Sequence, residues 1–263
     1  MICLILGDTD FPKKVLENVK KKKIKYFIID LSKKNIFKRN NNSNRISIGQ
    51  FGKLIKLIKL QKCNKVLFAG KINKPNFLSL KMDVKGLFHL SKIIKASKLG
   101  DAAIFKVIID ILKKEKINVI SSTTFNPEFS LKKGNYSNFK PNTNDLLEIK
   151  RGIKYLKMIN AHNHVQGVVL RNGKIIKTET TAGTKKMLQT IKSNKIAKGI
   201  LIKLPKLKQD LRIDLPTIGL DTLIDCKNVG LNGIVLKHKK NIFLDKEKCI
   251  KFANRNQIFI TVI

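Results

Sequence analysis

Residues 2–29 read ICLILGDTDFPKKVLENVKKKKIKYFII. The apolar run at 2–6 stops at Gly7. Pro12 then opens a pattern in which Val15, Leu16 and Val19 recur at helical spacing, and 26–29 is a second apolar run. Proline has no amide hydrogen to lose in a first helical turn and its φ is already helical, so the order is strand, loop, helix, strand. That order opens an open α/β sheet. Working outward, 40–44 reads as a polar Asn/Ser loop, 54–60 as a helix, and 65–69 (KVLFA) as a strand ending at Gly70. Helices follow over 87–99 and 102–113, parted by Gly100-Asp101 with Asp101 as a candidate cap, and then a strand over 117–120. Residues 126–145 carry Pro127, Gly134, Pro141 and several Asn with little periodicity, the composition of a domain boundary. A second series begins with a helix over 145–158, capped near Thr143 or Asn144. Two runs, 165–170 and 174–177, flank Asn172-Gly173, the strongest short hairpin signal. Helices over 184–191, 222–228 and 245–254 then alternate with strands over 199–203, 233–236 and 258–262. The expectation is an α/β protein of two α/β domains, 1–130 and 131–263, the first an open Rossmann-like sheet, with a cleft between them.

The chain has 263 residues, of which 43% are hydrophobic, enough for ordinary cores. Lys and Arg number 55 against 18 Asp and Glu, a formal net charge of +37. The basic residues are 49 Lys and 6 Arg, alongside 37 Ile, 24 Asn and 8 Ala. Lys, Ile and Asn have A/T-rich codons, so base composition explains the charge more simply than selection for a polyanion. The lysines are spread along the chain, and the aromatics, at 6%, form no stacking pattern. No specific nucleic-acid partner is expected. Such a surface is nevertheless drawn to anionic lipid headgroups at low salt. No apolar run approaches the ~18 residues of a membrane span, so membrane contact is expected to be peripheral and mainly electrostatic. The start, MICLILGDTDF, reads as a first strand and not a signal peptide. Cys3, Cys63, Cys226 and Cys249 form no CxxC pair and fit neither a disulfide scaffold nor a zinc site. The expected location is the cytoplasm.

Four segments could carry chemistry. Gly7-Asp8-Thr9-Asp10-Phe11-Pro12 is a strand-to-helix turn, where amide groups and a helix end face a ligand, but it is not GxGxxG. A substrate contact through Gly7 and Asp10 and a tight turn with a capping Asp are both open. Ala69-Gly70-Lys71 ends another strand; Gly70 admits a ligand to the backbone and Lys71 could reach a phosphate. Residues 203–219, KLPKLKQDLRIDLPTIG, are the most specific. At period two, Asp210, Arg212 and Asp214 fall on one face and Leu211, Ile213 and Leu215 on the other. Carboxylates suit Mg²⁺, which takes one or two of them plus substrate phosphate, and Arg binds phosphate with two prongs. A self-neutralising surface strand is the alternative. Finally, Gln166 through Thr184 holds the hairpin and Glu179, the only carboxylate between Glu148 and Asp210, with Thr184 as a candidate N-cap. His162 and His164 have no third metal ligand nearby and read as polar loop residues.

AGK-x-x-x-P from Ala69 to Pro75, Gly100-Asp101-Ala102, Glu179 with Gly183-Thr184, and K-x-P-K-x-x-Q-D-x-R-x-D-x-P-x-I-G at 203–219 occur in an order that resembles the LpxI-type UDP-2,3-diacylglucosamine pyrophosphatases. The resemblance runs nearly the whole chain. It implies hydrolysis of UDP-2,3-diacylglucosamine to 2,3-diacylglucosamine 1-phosphate (lipid X) and UMP in lipid A biosynthesis. It also implies a divalent metal, preferably Mg²⁺, and two α/β domains enclosing the lipid. The basic surface without a span suits a peripheral visitor to the inner face of the inner membrane. The chain departs from that pattern at Asp8 and Thr9, where glycines are expected, and at Ala182-Gly183-Thr184-Lys185, where the family reads E-G-T-D. Together the residues and the resemblance nominate Asp210, Arg212 and Asp214 as catalytic, with Asp210 and Asp214 as Mg²⁺ ligands. Gly7, Asp10, Gly70, Lys71, Gln166, Glu179, Thr184, Lys203 and Gln209 are the nominated substrate contacts. The competing expectation is a binder of nucleotide-sugar or nucleic acid that keeps the fold without catalysis.

Overall fold

A computed structural model describes residues 1–72, 80–160, 165–194, 196–206 and 210–263. The chain divides into two compact units: Met1–Asn126 with Asp210–Asp214, and Pro127–Gln209 with Leu215–Ile263.

The first unit is built on β1 (Ile2–Leu6), α1 (Phe11–Lys21), β2 (Tyr26–Asp30), β3 (Ser43–Arg45), α2 (Phe51–Leu60), β4 (Lys65–Ala69), α3 (Val84–Leu99), α4 (Asp101–Lys114) and β5 (Asn118–Ile120). The strands form one parallel sheet in the order β3-β2-β1-β4-β5. Successive strands add on one side of β1 and then on the other, so the order reverses between β1 and β4. α1 starts one residue before Pro12, as the proline required, and buries Val15, Leu16 and Val19. Alternate strand residues Cys3, Ile5, Phe27, Ile29, Val66 and Phe68 form a core with Phe51, Leu54, Ile55 and Ile58 of α2 and Ile109 and Leu112 of α4. The run at 40–44 is not all loop: Ser43–Arg45 pairs with β2 as a short, largely exposed edge strand. Its residues carry no hydrophobic alternation, so the period-two signal was absent there.

The second unit contains β6 (Gly134–Asn135), α5 (Thr143–Asn160), β7 (Gly167–Arg171), β8 (Lys174–Thr178), α6 (Gly183–Gln189), β9 (Gly199–Lys203), β10 (Thr217–Ile218), α7 (Leu220–Asn228), β11 (Leu231–Leu236), β12 (Ile242–Phe243), α8 (Lys246–Arg255) and β13 (Phe259–Val262). Its main sheet runs β6-β13-β11-β9-β7-β8, with β9, β11 and β13 mutually parallel and β7 and β8 the antiparallel hairpin. Asn172 and Gly173 both have positive φ, 50° and 72°, which the tight turn demands. Strand alternation sorts two cores. Val168, Leu170, Ile200, Ile202 and Val235 face Ile149 and Leu156 of α5. Val169, Leu201, Ile234 and Ile260 face Met187, Leu188, Leu223, Cys226, Cys249 and Ala253 on α6, α7 and α8. The cap of α5 is Asn142, one residue before the expected pair. Its Oδ1 accepts from the Asp145 amide while Asp145 Oδ2 accepts from the Asn142 amide, both at 2.9 Å. All four cysteines are buried thiols. Among the described residues no helix is long and apolar enough to cross a membrane.

Candidate functional site

At the carboxyl edge of the first sheet, the turns after β1 and β4 are locked together. The Asp8 amide donates to the Lys71 carbonyl at 2.9 Å and the Lys71 amide returns the bond to Asp8 at 3.0 Å. Only glycine fits on either side. A Cβ on Gly7 would sit 2.5 Å from the Lys71 carbonyl oxygen. Gly70 has φ +89°, and its Cβ would meet Pro12 at 2.4 Å. The structure thus brings the nominated Gly7, Gly70 and Lys71 together where the strand order reverses, the usual ligand position in open α/β sheets. Asp10 occupies the N-cap position of α1, but its carboxylate makes no cap bond and pairs instead with exposed Lys13 at 3.0 Å. Asp8 Oδ1 accepts from the Lys33 amide at 3.1 Å, which ties the end of β1 to the loop after β2.

The 210–214 segment belongs to this same unit and is a turn, not a strand. The Asp214 amide donates to the Asp210 carbonyl at 3.1 Å, and the Ile213 amide does so at 3.2 Å. The cause is Asp210 itself: its Oδ1 accepts from the Arg212 amide at 2.9 Å, a local bond that competes with extended backbone. The expected row of carboxylate, guanidinium and carboxylate is therefore replaced by a folded pair. Arg212 Nε lies 2.9 Å from Asp210 Oδ1, and its Nη2 lies 2.6 Å from Oδ2. The Arg212 side-chain hydrogen bond, then its backbone amide and its charge, hold the Asp210 carboxyl below the usual carboxylate range despite partial burial. Asp210 in turn raises the Arg212 guanidinium, helped by the charge of Asp110 on α4. Ile213 anchors the turn against the core of the first sheet, so the expected apolar underside is present in part.

Two carboxylates one turn apart are hard oxygen donors of the kind Mg²⁺ takes alongside phosphate and water. Among the described residues no group of three or more His, Cys, Asp or Glu side chains is placed to hold a metal. An ion here would draw its remaining ligands from substrate and water, and Asp210 would share its oxygens with Arg212.

A second polar cluster lies inside the second unit. Glu179, Thr184 and Lys203 are buried, at 9, 8 and 6% exposure. The Thr184 hydroxyl donates to Glu179 Oε1 at 2.8 Å and accepts from Lys203 Nζ, which lies 3.6 Å from the same Oε1. Sheet pairing brings them together. Gly167 is opposite Lys203 in the β7–β9 register, the Glu179 amide donates to the Gly167 carbonyl at 2.8 Å, and the Leu204 amide donates to the Gln166 carbonyl at 2.8 Å. Four nominated residues thus meet at one end of β9. Among the described residues Glu179 Oε2 is buried without a hydrogen-bond partner. Thr184 does not cap α6; the N-cap position is Ala182, and the hydroxyl serves Glu179 instead. Sequence reading missed Asn241, which is buried and donates to the Lys203 carbonyl at 3.1 Å while accepting from the Lys237 amide at 2.8 Å. It stands in a lysine-rich turn with no pattern to mark it. Gln209, Pro75, His162 and His164 lie outside the described residues.

Comparison with known proteins follows the same two-part division. The LpxI N-terminal domain matches residues 1–129 and the LpxI C-terminal domain residues 132–261. UDP-2,3-diacylglucosamine pyrophosphatase LpxI of Caulobacter vibrioides is 30% identical over 223 residues, 82% of this chain and 80% of that protein. With both domain families matched in order and nearly end to end, the chain belongs to the LpxI family.

Proposed function

We propose that this chain hydrolyses the pyrophosphate of UDP-2,3-diacylglucosamine to lipid X and UMP, as a Mg²⁺-dependent step of lipid A biosynthesis. The observation that carries the reading is the Asp210–Arg212 pair on its turn, within a chain whose two domain families and relative all point to LpxI. A pyrophosphate presents paired anionic oxygens, which a guanidinium engages with two prongs. In the reaction, water attacks the phosphorus nearest uridine. A new P–O bond forms there as the bond to the bridging oxygen breaks, and that oxygen departs with lipid X. Negative charge grows on the phosphoryl oxygens, so preorganised positive groups give the largest help. Arg212 supplies one. Arg212 holds the Asp210 carboxyl lower than usual, which suits it to orienting water or holding a cation more than to taking a proton. Asp210 and Asp214 would hold Mg²⁺, whose chemistry is to withdraw charge from the phosphate oxygens. Gly7, Asp10, Gly70 and Lys71 are assigned substrate contacts at the sheet edge. Gln166, Glu179, Thr184, Lys203 and Gln209 are assigned the same role, Lys203 as a buried cation.

Product analysis tests the reading. Purified protein, Mg²⁺ and UDP-2,3-diacylglucosamine in water enriched in heavy oxygen should yield UMP and lipid X with the label in UMP. Label in lipid X would move the attack to the other phosphorus. No turnover, together with retained binding of the nucleotide-sugar, would favour a non-catalytic binder.

A further inference from the structure

Helix α3 keeps one side uncovered. Within Val84–Leu99 only Gly86 and Ala96 are buried, while Val84, Leu87, Phe88 and Leu99 are 83, 57, 74 and 66% exposed. Positions 84, 87, 88, 91, 95 and 99 follow steps of three and four and share a side of the helix. On that side Ser91 and Lys95 separate the apolar group Val84, Leu87 and Phe88 from Leu99, exposed Lys92 and Lys98 lie in the same C-terminal half, and the helix contains no Asp or Glu. Beside its first turn runs a groove of about 490 Å³ lined by Gly52, Ile55, Lys56, Lys59, Leu60 and Lys85. Glu115 pairs with Lys59 and Lys85 there, so the groove adds exposed Lys56 and exposed Leu60. Scattered exposed apolar residues need no explanation, but a row of them on one helix side does.

We propose that this side of α3 seats the protein on an anionic bilayer surface, with Val84, Leu87 and Phe88 entering the boundary between headgroups and acyl chains. The charge selects the occupant. Helices that lie in a membrane interface pair an Phe- or Leu-bearing side with lysines that reach back to lipid phosphates. A second copy of the chain would set one lysine row against another. The charge of +37 draws the protein to such a surface at long range. The sequence alone predicts a contact that is mainly electrostatic; the exposed apolar residues add insertion, so part of the binding persists in salt. This inference is independent of the activity proposed above.

The chain contains no Trp, so Phe88→Trp creates a single reporter. With vesicles of equal parts phosphatidylglycerol and phosphatidylcholine, its emission should shift to the blue and be quenched by brominated acyl chains. Pure phosphatidylcholine vesicles should produce neither change. Replacing both Val84 and Phe88 by Asp should cut the partition coefficient about tenfold or more, because two inserted apolar side chains are lost. The charge-matched change of exposed Met158 and Ile196 to Asp should cost less than about threefold. Equal losses in the two double variants would overturn insertion, as would an unshifted emission from vesicle-bound Phe88→Trp protein. A blue shift without vesicles that rises with protein concentration and tracks dimer in light scattering would assign the face to a second copy.

Discussion

Asp210 shows how one side chain can overrule a pattern. Period-two alternation in LRIDL is a fair strand signal, yet an Asp can satisfy a backbone amide two residues on, and here it does. The candidate residues stand out in the sequence by type; their arrangement does not, because the deciding bond is local and independent of hydrophobic pattern. Asp210→Asn separates the two roles. The Asn oxygen can still accept from the Arg212 amide, so the turn should survive and the melting temperature should move little. The charge is lost, and kcat should fall about a hundredfold or more, near ~2.7 kcal/mol, in a steady-state assay of UMP release. Arg212→Lys keeps charge but loses the fork and should give a smaller, clear fall. A folded Asp210→Asn protein with full turnover would take this turn out of the reaction. The depressed pKa has its own consequence. Asp210 stays ionised below the usual carboxylate range, so the acid limb of activity due to it should lie below that range. Glu179 offers a contrast, since its worth is structural before it is chemical. Glu179→Gln leaves Lys203 buried beside a neutral group and should cost about 3 kcal/mol in urea unfolding. A loss within ~0.5 kcal/mol, the range of ordinary surface changes, would mean that other groups compensate Lys203.

Elements with a strong period were legible: β1, α1, β4, the hairpin and β9 all fall within a residue or two of where their apolar residues place them. The short pairings, β3 and β10 with β12, were not, because two or three residues have no measurable period. What joins elements at the surface was also invisible. Glu115, just past α4, accepts from Lys59 of α2 and Lys85 of α3, each at 2.5 Å, and so ties three helices. Those hydrogen bonds, Lys59 first, lower its pKa from 4.5 to about 2. A depressed acid pKa means the folded state binds the proton more weakly than the unfolded chain does. The stabilisation is therefore complete above about 4.5 and is lost as pH falls through about 2. Both lysines are about half exposed, at 54 and 48%, so screening limits the gain to about 1 kcal/mol. Glu115→Gln should be less stable than the parent by that amount at pH 7, and the gap should narrow as pH falls from about 4.5 through about 2, where half of the parent carboxyl is protonated. An unchanged gap across that range, followed by urea unfolding at each pH, would show that packing and not charge made the difference.

Over the whole molecule, the chain does not simply finish one unit and begin the next. It completes Met1–Asn126, builds most of the second unit, returns to the first for Asp210–Asp214, and leaves again at Leu215. Periodicity read along the sequence gives the two strand–helix series but has no means of showing such a return, since the segment is too short to carry a pattern of its own. Its attachment rests on Ile213, which packs against the core that holds Phe27, Ile29, Val66 and Leu112. The candidate catalytic turn is thus stabilised by the first sheet although its sequence neighbours are stabilised by the second. Local opening should follow that assignment, because amides exchange with the unit whose contacts protect them. Ile213→Ala removes part of a partly buried side chain and should cost about 1–2 kcal/mol, the lower end for such truncations. That corresponds to roughly tenfold faster hydrogen exchange. The acceleration should appear in the slowest amides of β1 and β4 and leave those of β9 and β11 near their parent rates. Faster exchange confined to β9 and β11 would place Ile213 with the second unit. Uniform acceleration in both sheets would mean that the two units unfold as one, so that the return of the chain confers no separate hold on the site.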